Sequence, residues 1–152
     1  MKPIVTFDWP DPPPSANRIY FVRGGRKILR AEARQWKNRF ISNLGGIEPE
    51  EFLQISIEPT DRLHLQLWIY LPEGKVNNKG YGKNKRTKYP YAKVDTSNFF
   101  KLAEDAVAEL LGVTCDRQNF TISAHKRVAT SSRLVIHVFH EEQSEDPFDP
   151  RK

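Results

Sequence analysis

Apolar and polar residues alternate strictly over residues 62–71, which is the clearest pattern in the chain. Leucines and one isoleucine fill one set of alternate positions, and the other set holds His64, Gln66, Trp68 and Tyr70. Successive side chains of a strand point to opposite faces of a sheet, so this segment predicts a strand with one buried face. Strand-forming residues predict three further strands, at residues 3–8, 120–128 and 133–140.

Two short runs of strand-forming residues flank Gly24-Gly25 within residues 17–29. Glycine adopts the positive φ that a tight turn requires, so this segment predicts a β-hairpin. The residues before it, from Asp8 to Ser15, include four prolines. Proline fixes φ and removes a backbone donor, so that stretch is predicted to be extended and stiff.

Residues 31–44 and about 97–111 repeat apolar residues at the spacing of a helix. The predicted buried face of the first helix consists of Ala33, Trp36, Phe40, Ile41 and Leu44. The predicted buried face of the second consists of Phe99, Leu102, Ala103, Ala106, Val107 and Leu110. Ser97 is a predicted N-cap, and glycines follow both helices, at 45–46 and at 112. Residues 47–60 carry no clear pattern.

These elements predict one α+β domain over residues 1–140, in which two helices pack on a mixed β-sheet. Residues 141–152 are acidic, contain two prolines and are predicted to form a mobile tail. Trp36 and Trp68 are interpreted as core residues. The four histidines, at positions 64, 125, 137 and 140, lie on predicted strands and are interpreted as surface or sheet-contact residues.

Positive charge is concentrated in the predicted domain. The chain has 24 basic and 19 acidic residues, and the tail takes five acids and two bases of these, which leaves 22 bases against 14 acids in residues 1–140. Such a body favours a polyanionic partner, of which nucleic acid is the commonest. Candidates for a DNA-binding surface are Asn17, Arg18, Arg23 and Arg26 around the hairpin, and Lys83, Lys85, Arg86 and Lys88.

Those last four residues belong to a long polar loop, residues 73–93, with seven bases and one acid. Loops of this length within small domains are usually functional or disordered. Its three tyrosines, at 81, 89 and 91, are either stacking residues for unpaired bases or solvated loop residues.

The sequence also indicates the cellular compartment. One cysteine, Cys115, excludes an internal disulfide and fits a reducing environment. No apolar stretch has the length of a membrane span, and the N-terminus lacks the apolar run of a secretory signal. A soluble, cytoplasmic protein is expected.

A group of charged residues surrounds the second helix. Asn98, Lys101 and Asp105 are spaced to share one side of it, Asp95 precedes it and Asp116 follows it. Carboxylates suit Mg²⁺, which can activate water for phosphodiester hydrolysis, and a lysine can hold the phosphate. The alternative is structural: Asp95 would favour the helix N-terminus, and Lys101 and Asp105 would form an ordinary ion pair.

Three segments, in order over most of residues 5–137, resemble the RusA family of crossover junction endodeoxyribonucleases. The first is Pro12-Pro13-Pro14-Ser15-Ala16-Asn17, similar to the family's P-P-S-x-N. The second runs from Asp95 through Asn98 and Lys101 to Asp105-Ala106, and resembles D-x-D-N-x-x-K-x-x-x-D-A. The third, Cys115-Asp116-Arg117-Gln118, resembles D-D-x-Q.

The resemblance implies a Mg²⁺-dependent nuclease that resolves four-way (Holliday) DNA junctions by paired nicks, in recombination and repair. It implies an intertwined homodimer with a mixed α/β fold, encoded by a bacterium or a phage. Asp95 and Asp116 correspond to metal-binding acids, and Lys101 corresponds to the lysine near the phosphate. Asp105 is a further candidate ligand, while Asn98 and Gln118 take supporting roles.

Two residues depart from the family pattern. Ser97 stands where the second acid of D-x-D-N is expected, and Cys115 where the first acid of D-D is expected. Our hypothesis is that Asp95 and Asp116, with Asp105 or Glu104 nearby, suffice for Mg²⁺. One alternative is a degenerate protein that binds junctions without cutting them. Another is a basic single-strand or RNA-binding protein whose acids only stabilise helices.

Overall fold

The computed structural model describes residues 2–14, 20–72, 97–113 and 119–141. The strands are β1 (Val5–Trp9), β2 (Tyr20–Arg23), β3 (Arg26–Leu29), β4 (Leu63–Pro72), β5 (Asn119–Ala129) and β6 (Arg133–His140). The helices are α1 (Ala31–Ser42), α2 (Pro49–Phe52) and α3 (Ser97–Leu111), with a 3-10 turn at Leu44–Gly46.

Four strands form the main sheet in the order β1-β6-β4-β5. β6 pairs antiparallel with β1 and with β4, while β4 and β5 are parallel. The sheet is therefore mixed, as predicted. Parallel neighbours need a crossover between them, and α3 lies between β4 and β5 in the chain.

The predicted hairpin is confirmed as the separate antiparallel pair β2 and β3. Gly24 and Gly25 occupy its turn with φ of 60° and 77°. These are the left-handed values that glycine adopts without steric cost.

One core joins both long helices to the sheet. Its members from β4 are Leu63, Leu65, Leu67 and Ile69, each almost fully buried, so the predicted alternation is confirmed. The helices contribute Ala33, Trp36 and Phe40 from α1, and Leu102, Ala103, Ala106 and Val107 from α3. Burying this much aliphatic and aromatic surface is the main source of stability for the domain.

The aromatic part of this core holds the proline-rich segment in place. Trp36 stacks on Phe40 with ring centroids 5.2 Å apart. The ring centroid of Phe7 lies 5.6 Å from that of Phe40. The indole Nε1 of Trp36 donates a hydrogen bond of 2.7 Å to the carbonyl of Asp11. This bond ties the chain entering the hairpin to α1.

The structure corrects two details of the sequence prediction. Trp68 is half-buried on the sheet face opposite the core, because it shares the parity of His64 and Gln66 along β4. The first helix ends at Ser42 rather than at residue 44, because Leu44 and the two glycines after it have positive φ. Residues 47–60, which carry no clear sequence pattern, contain the short helix α2.

The histidines lie on strands, as expected: His64, His125 and His137 are half-buried on the face opposite the core, and His140 is exposed. Residues 73–93 and 142–152 lie outside the described ranges, so the basic loop and the mobile tail remain predictions. No helix within the described ranges is long and apolar enough to cross a membrane.

Candidate active site

Helix α3 is the element on which the candidate site is built. Its apolar stripe packs into the core, which fixes the direction of every other side chain on the helix. The helix stops at Gly112, which has φ of 70°, and the amide of Val113 donates to the carbonyl of Ala108 at 2.9 Å. This is the glycine-terminated ending that the sequence predicted.

Lys101 and Asp105 lie on consecutive turns of α3 and form an ion pair. The Nζ of Lys101 is 3.3 Å from Oδ1 of Asp105, and their side chains are 49% and 29% exposed. The prediction that the two share one side of the helix is confirmed. The pair holds a primary ammonium group at the surface, within one turn or so of the helix N-terminus, where an incoming phosphate could reach it.

Glu104, the other acid considered near the site, differs from Asp105 in its surroundings. It is only 9% exposed and is the buried charged residue among the described core positions. Burial of a carboxylate is costly unless polar groups surround it, and Glu104 does interact with its neighbours. Sequence spacing gave no sign of this burial.

Most of the predicted site lies outside the described residues. This applies to Asp95 and Asp116, and to Asn17, Arg18, Lys83, Lys85, Arg86, Lys88 and Gln118. Asn98 is placed in the first turn of α3, without a description of its side chain. Within the described ranges, no group of three or more histidine, cysteine, aspartate or glutamate residues could hold a metal ion.

Helix α3 lies between Asp95 and Asp116 in the sequence. Asp95 precedes Ser97 by two residues, and Asp116 follows Leu111 by five. A helix of 15 residues extends about 21 Å at 1.5 Å per residue. The chain therefore passes Asp95 as it enters one end of α3 and passes Asp116 after it leaves the other.

A second cluster of charge lies at the hairpin turn. Arg23 and Arg26 are paired directly across β2 and β3, and both are exposed, as is Lys27 beside them. No salt bridge between described residues involves any of these three. Like charges directly opposite each other in a ladder are destabilising, so this arrangement favours an anionic partner.

Charge also links the two long helices. Lys37 of α1 lies 2.6 Å from Glu109 of α3. This pair adds a surface contact between α1 and the helix that carries Lys101, beside the apolar core that packs the two helices.

Comparison with protein families gives a match over most of the chain. The family model described as endodeoxyribonuclease RusA matches residues 10–139. The match includes all three segments on which the resemblance depended. Comparison with curated proteins gives no match.

Proposed function

The chain belongs to the RusA endodeoxyribonuclease family, and we propose that it resolves four-way DNA junctions by hydrolysing one phosphodiester bond in each of two exchanging strands. The family match over residues 10–139 carries this proposal, and the exposed ammonium group of Lys101 on α3 supports it.

Lys101 contacts the scissile phosphate in this proposal. Its ammonium can donate to a non-bridging oxygen and offset the charge that develops there during hydrolysis. Asp105 acts as a positioning residue, because its carboxylate 3.3 Å away restrains the lysine side chain. A metal-binding role for Asp105 would compete with that ion pair.

Asp95 and Asp116 would supply carboxylate oxygens for Mg²⁺, which prefers such donors and keeps several of its waters. A bound Mg²⁺ would supply charge neutralisation and an activated water. Ser97 and Cys115 reduce the negative charge of the site relative to the family pattern. The expected consequence is weaker metal binding, with millimolar Mg²⁺ needed for full activity.

Asp95 precedes α3 in the chain and Asp116 follows it, and in this proposal the two acids of one site come from different protomers. About 21 Å of helix lies between the segment carrying Asp95 and the segment carrying Asp116. A two-fold axis across antiparallel α3 helices would bring the entry of one helix beside the exit of the other. A homodimer of this kind would present two equivalent sites to the two exchanging strands.

Basic residues away from α3 bind the DNA arms in this account. Arg23 and Arg26 face each other across the hairpin, and a bound phosphate would reduce the repulsion between their positive charges. The loop residues Lys83, Lys85, Arg86 and Lys88, with Asn17 and Arg18, provide further contacts. Such contacts to the backbone give affinity that falls steeply with salt.

A binding-only protein is the second candidate, and the replacement of two family acids by Ser97 and Cys115 favours it. One assay distinguishes the nuclease from the binding-only protein. A labelled four-way junction and a linear duplex of the same sequence are incubated with the protein, with Mg²⁺ or with a chelator. Mg²⁺-dependent nicking of the junction alone supports the nuclease. Retarded junction without product, at any Mg²⁺ concentration, supports the binding protein.

A further inference from the structure

The face of the main sheet opposite the helices, here called the open face, carries a set of aromatic rings. They come from alternate positions of β4, β5 and β6, and each is half-buried in the described structure: His64, Trp68, Tyr70, His125, His137 and Phe139. The helices α1 and α3 pack on the other face. The open face is therefore a flat surface of rings that the described residues leave partly exposed.

Trp68 and His125 form the centre of this surface. Their rings lie 4.2 Å apart and are inclined by only 17°, so they stack across β4 and β5. The indole Nε1 of Trp68 donates to Oε1 of Gln66 at 3.0 Å, which fixes the orientation of the ring. Stacked rings held in one orientation form a preorganised surface for another flat ring.

A guanidinium group lies over the Trp68 ring of this stack. The guanidinium carbon of Arg127 lies 5.1 Å from the Trp68 ring centroid, and its Nη1 donates to the carbonyl of Lys126 at 2.8 Å. Arg127 is exposed and follows His125 on the same face of β5. A cation next to a flat aromatic surface is the complement of a nucleotide, which joins a flat base to a phosphate.

Apart from Val135, the described residues between the rings are polar, which argues against a second protein chain as the occupant of this face. His64 hydrogen bonds to the hydroxyls of Thr121 and Ser123, the latter at 3.2 Å, and Gln66 lies between the rings of β4. Arg133 pairs with Asp8 on this face, and Arg127 adds a positive charge next to the stacked rings. Two copies packed through this face would bring like charges together and bury polar groups.

We propose that the open face binds unpaired nucleotides of single-stranded DNA, with a base stacked on the Trp68–His125 pair and a phosphate contacted by Arg127. This surface is separate from Lys101 on α3 and does not depend on cleavage. A protein acting at a strand exchange point could use it to hold bases that leave the duplex.

The probe is a dye-labelled oligo-dT of about 12 nucleotides, whose bases do not pair with one another. Fluorescence anisotropy gives the Kd for the full chain and for three variants. Trp68→Leu and Arg127→Ala alter the open face. Lys126→Ala is the matched control, since it removes one positive charge from the neighbouring residue, which points to the other face.

We expect Trp68→Leu to weaken oligo-dT binding about tenfold and Arg127→Ala about fivefold, with less than a twofold change for Lys126→Ala. Oligo-dT should also quench tryptophan fluorescence in the wild type and not in Trp68→Leu. Thermal unfolding checks that Trp68→Leu folds, and Arg127→Ala alters only an exposed side chain.

Three results would overturn the proposal. Equal weakening by Arg127→Ala and Lys126→Ala would mean that overall charge alone attracts the strand. Oligo-dT binding without quenching would place the bases elsewhere. Loss of self-association in Trp68→Leu, with its oligo-dT affinity unchanged, would assign the open face to a second copy of the chain.

Discussion

The Nζ of Lys101 lies 3.3 Å from Oδ1 of Asp105, one turn further along α3. An ion pair this exposed contributes little to stability, because water competes for both groups and two flexible side chains must be ordered. Its effect is to limit the positions that the ammonium group can take. The pair therefore matters for what Lys101 contacts rather than for holding the helix together.

Replacing this lysine should separate catalysis from binding. Lys101→Gln is expected to lower kcat for junction cleavage at least 100-fold, since one donor to the developing charge is lost. Junction affinity should change by less than about threefold, because many other basic residues contact the backbone. Lys37→Gln is the control, since Lys37 also pairs with an acid of α3. Equal losses in the two variants would mean that any ion pair on this helix has the same effect.

A mixed-protomer experiment tests whether Asp95 and Asp116 act across a dimer. Asp95→Asn and Asp116→Asn are each expected to be inactive alone. A dimer with one protomer of each kind regains one intact site if the acids are shared between protomers, and none if each protomer holds its own pair. Co-expression with two different tags isolates the mixed dimer. With one intact site, this dimer should nick one strand of the junction and leave the junction unresolved. No nicking by the mixed dimer would place both acids in one protomer.

Gly45 is one of two described glycines, with Gly46, at which an added Cβ would clash with the folded chain. Its φ is 59°, and a Cβ there would clash with the ring of Phe7 and lie 2.8 Å from Cζ of Phe40, both buried in the core. Gly45→Ala is expected to lower the free energy of unfolding by about 2–4 kcal/mol, from backbone strain and overpacking together.

Gly25→Ala isolates the backbone contribution to that loss. Gly25 has φ of 77°, and the described structure has nothing within 4 Å of a Cβ there. Its loss should be about 1 kcal/mol, from the positive φ alone. Denaturant unfolding of both variants measures the difference. Equal losses would mean that the ring contacts at Gly45 relax without cost.

The stability of the domain should fall on mild acidification because of His64. Desolvation by burial lowers the pKa of His64 below 6.5, against the opposing effect of Glu141 and assisted by His125. As pH falls, His64 of the unfolded chain therefore takes up a proton before His64 of the folded chain. The stability that depends on neutral, buried His64 is fully present above pH 6.5 and is lost as pH falls through the pKa of the folded state. His64→Gln should reduce the change in the free energy of unfolding between about pH 7 and pH 5. An unchanged slope in this variant would assign the dependence to other groups.

The Asp8–Arg133 pair acts in a different pH range. The hydrogen bond from Arg133 lowers the pKa of Asp8 from 3.8, so the stability that it adds is present above that value and is lost as pH falls below it. The two effects can therefore be distinguished by the pH at which each appears.

Local patterns in the sequence predicted the elements well. The period of two along β4, the glycine pair of the hairpin and the apolar stripe of α3 each have one simple structural solution. The prediction of Trp68 as a core residue is wrong because hydrophobicity alone does not decide which face a strand residue takes, and the alternation along β4 puts Trp68 on the face opposite the leucines. The insertion of β6 between β1 and β4 depends on contacts distant in sequence, which no local pattern contains.

The candidate site was predictable only in part. Helical spacing was enough to place Lys101 beside Asp105, and family-like motifs indicated Asp95 and Asp116. The burial of Glu104 and the facing pair of Arg23 and Arg26 depend on packing and on strand register. Spacing within a single segment determines neither of these.

The most direct test of the account is to map the nicks on a synthetic four-way junction. Each of the four strands is labelled in turn, and the products of the wild type and of Asp116→Asn are sized with Mg²⁺ present. The account predicts symmetric nicks in two opposed strands near the branch point for the wild type, and junction binding without nicks for Asp116→Asn. Wild-type binding without nicks, or nicks that persist in Asp116→Asn, would contradict it.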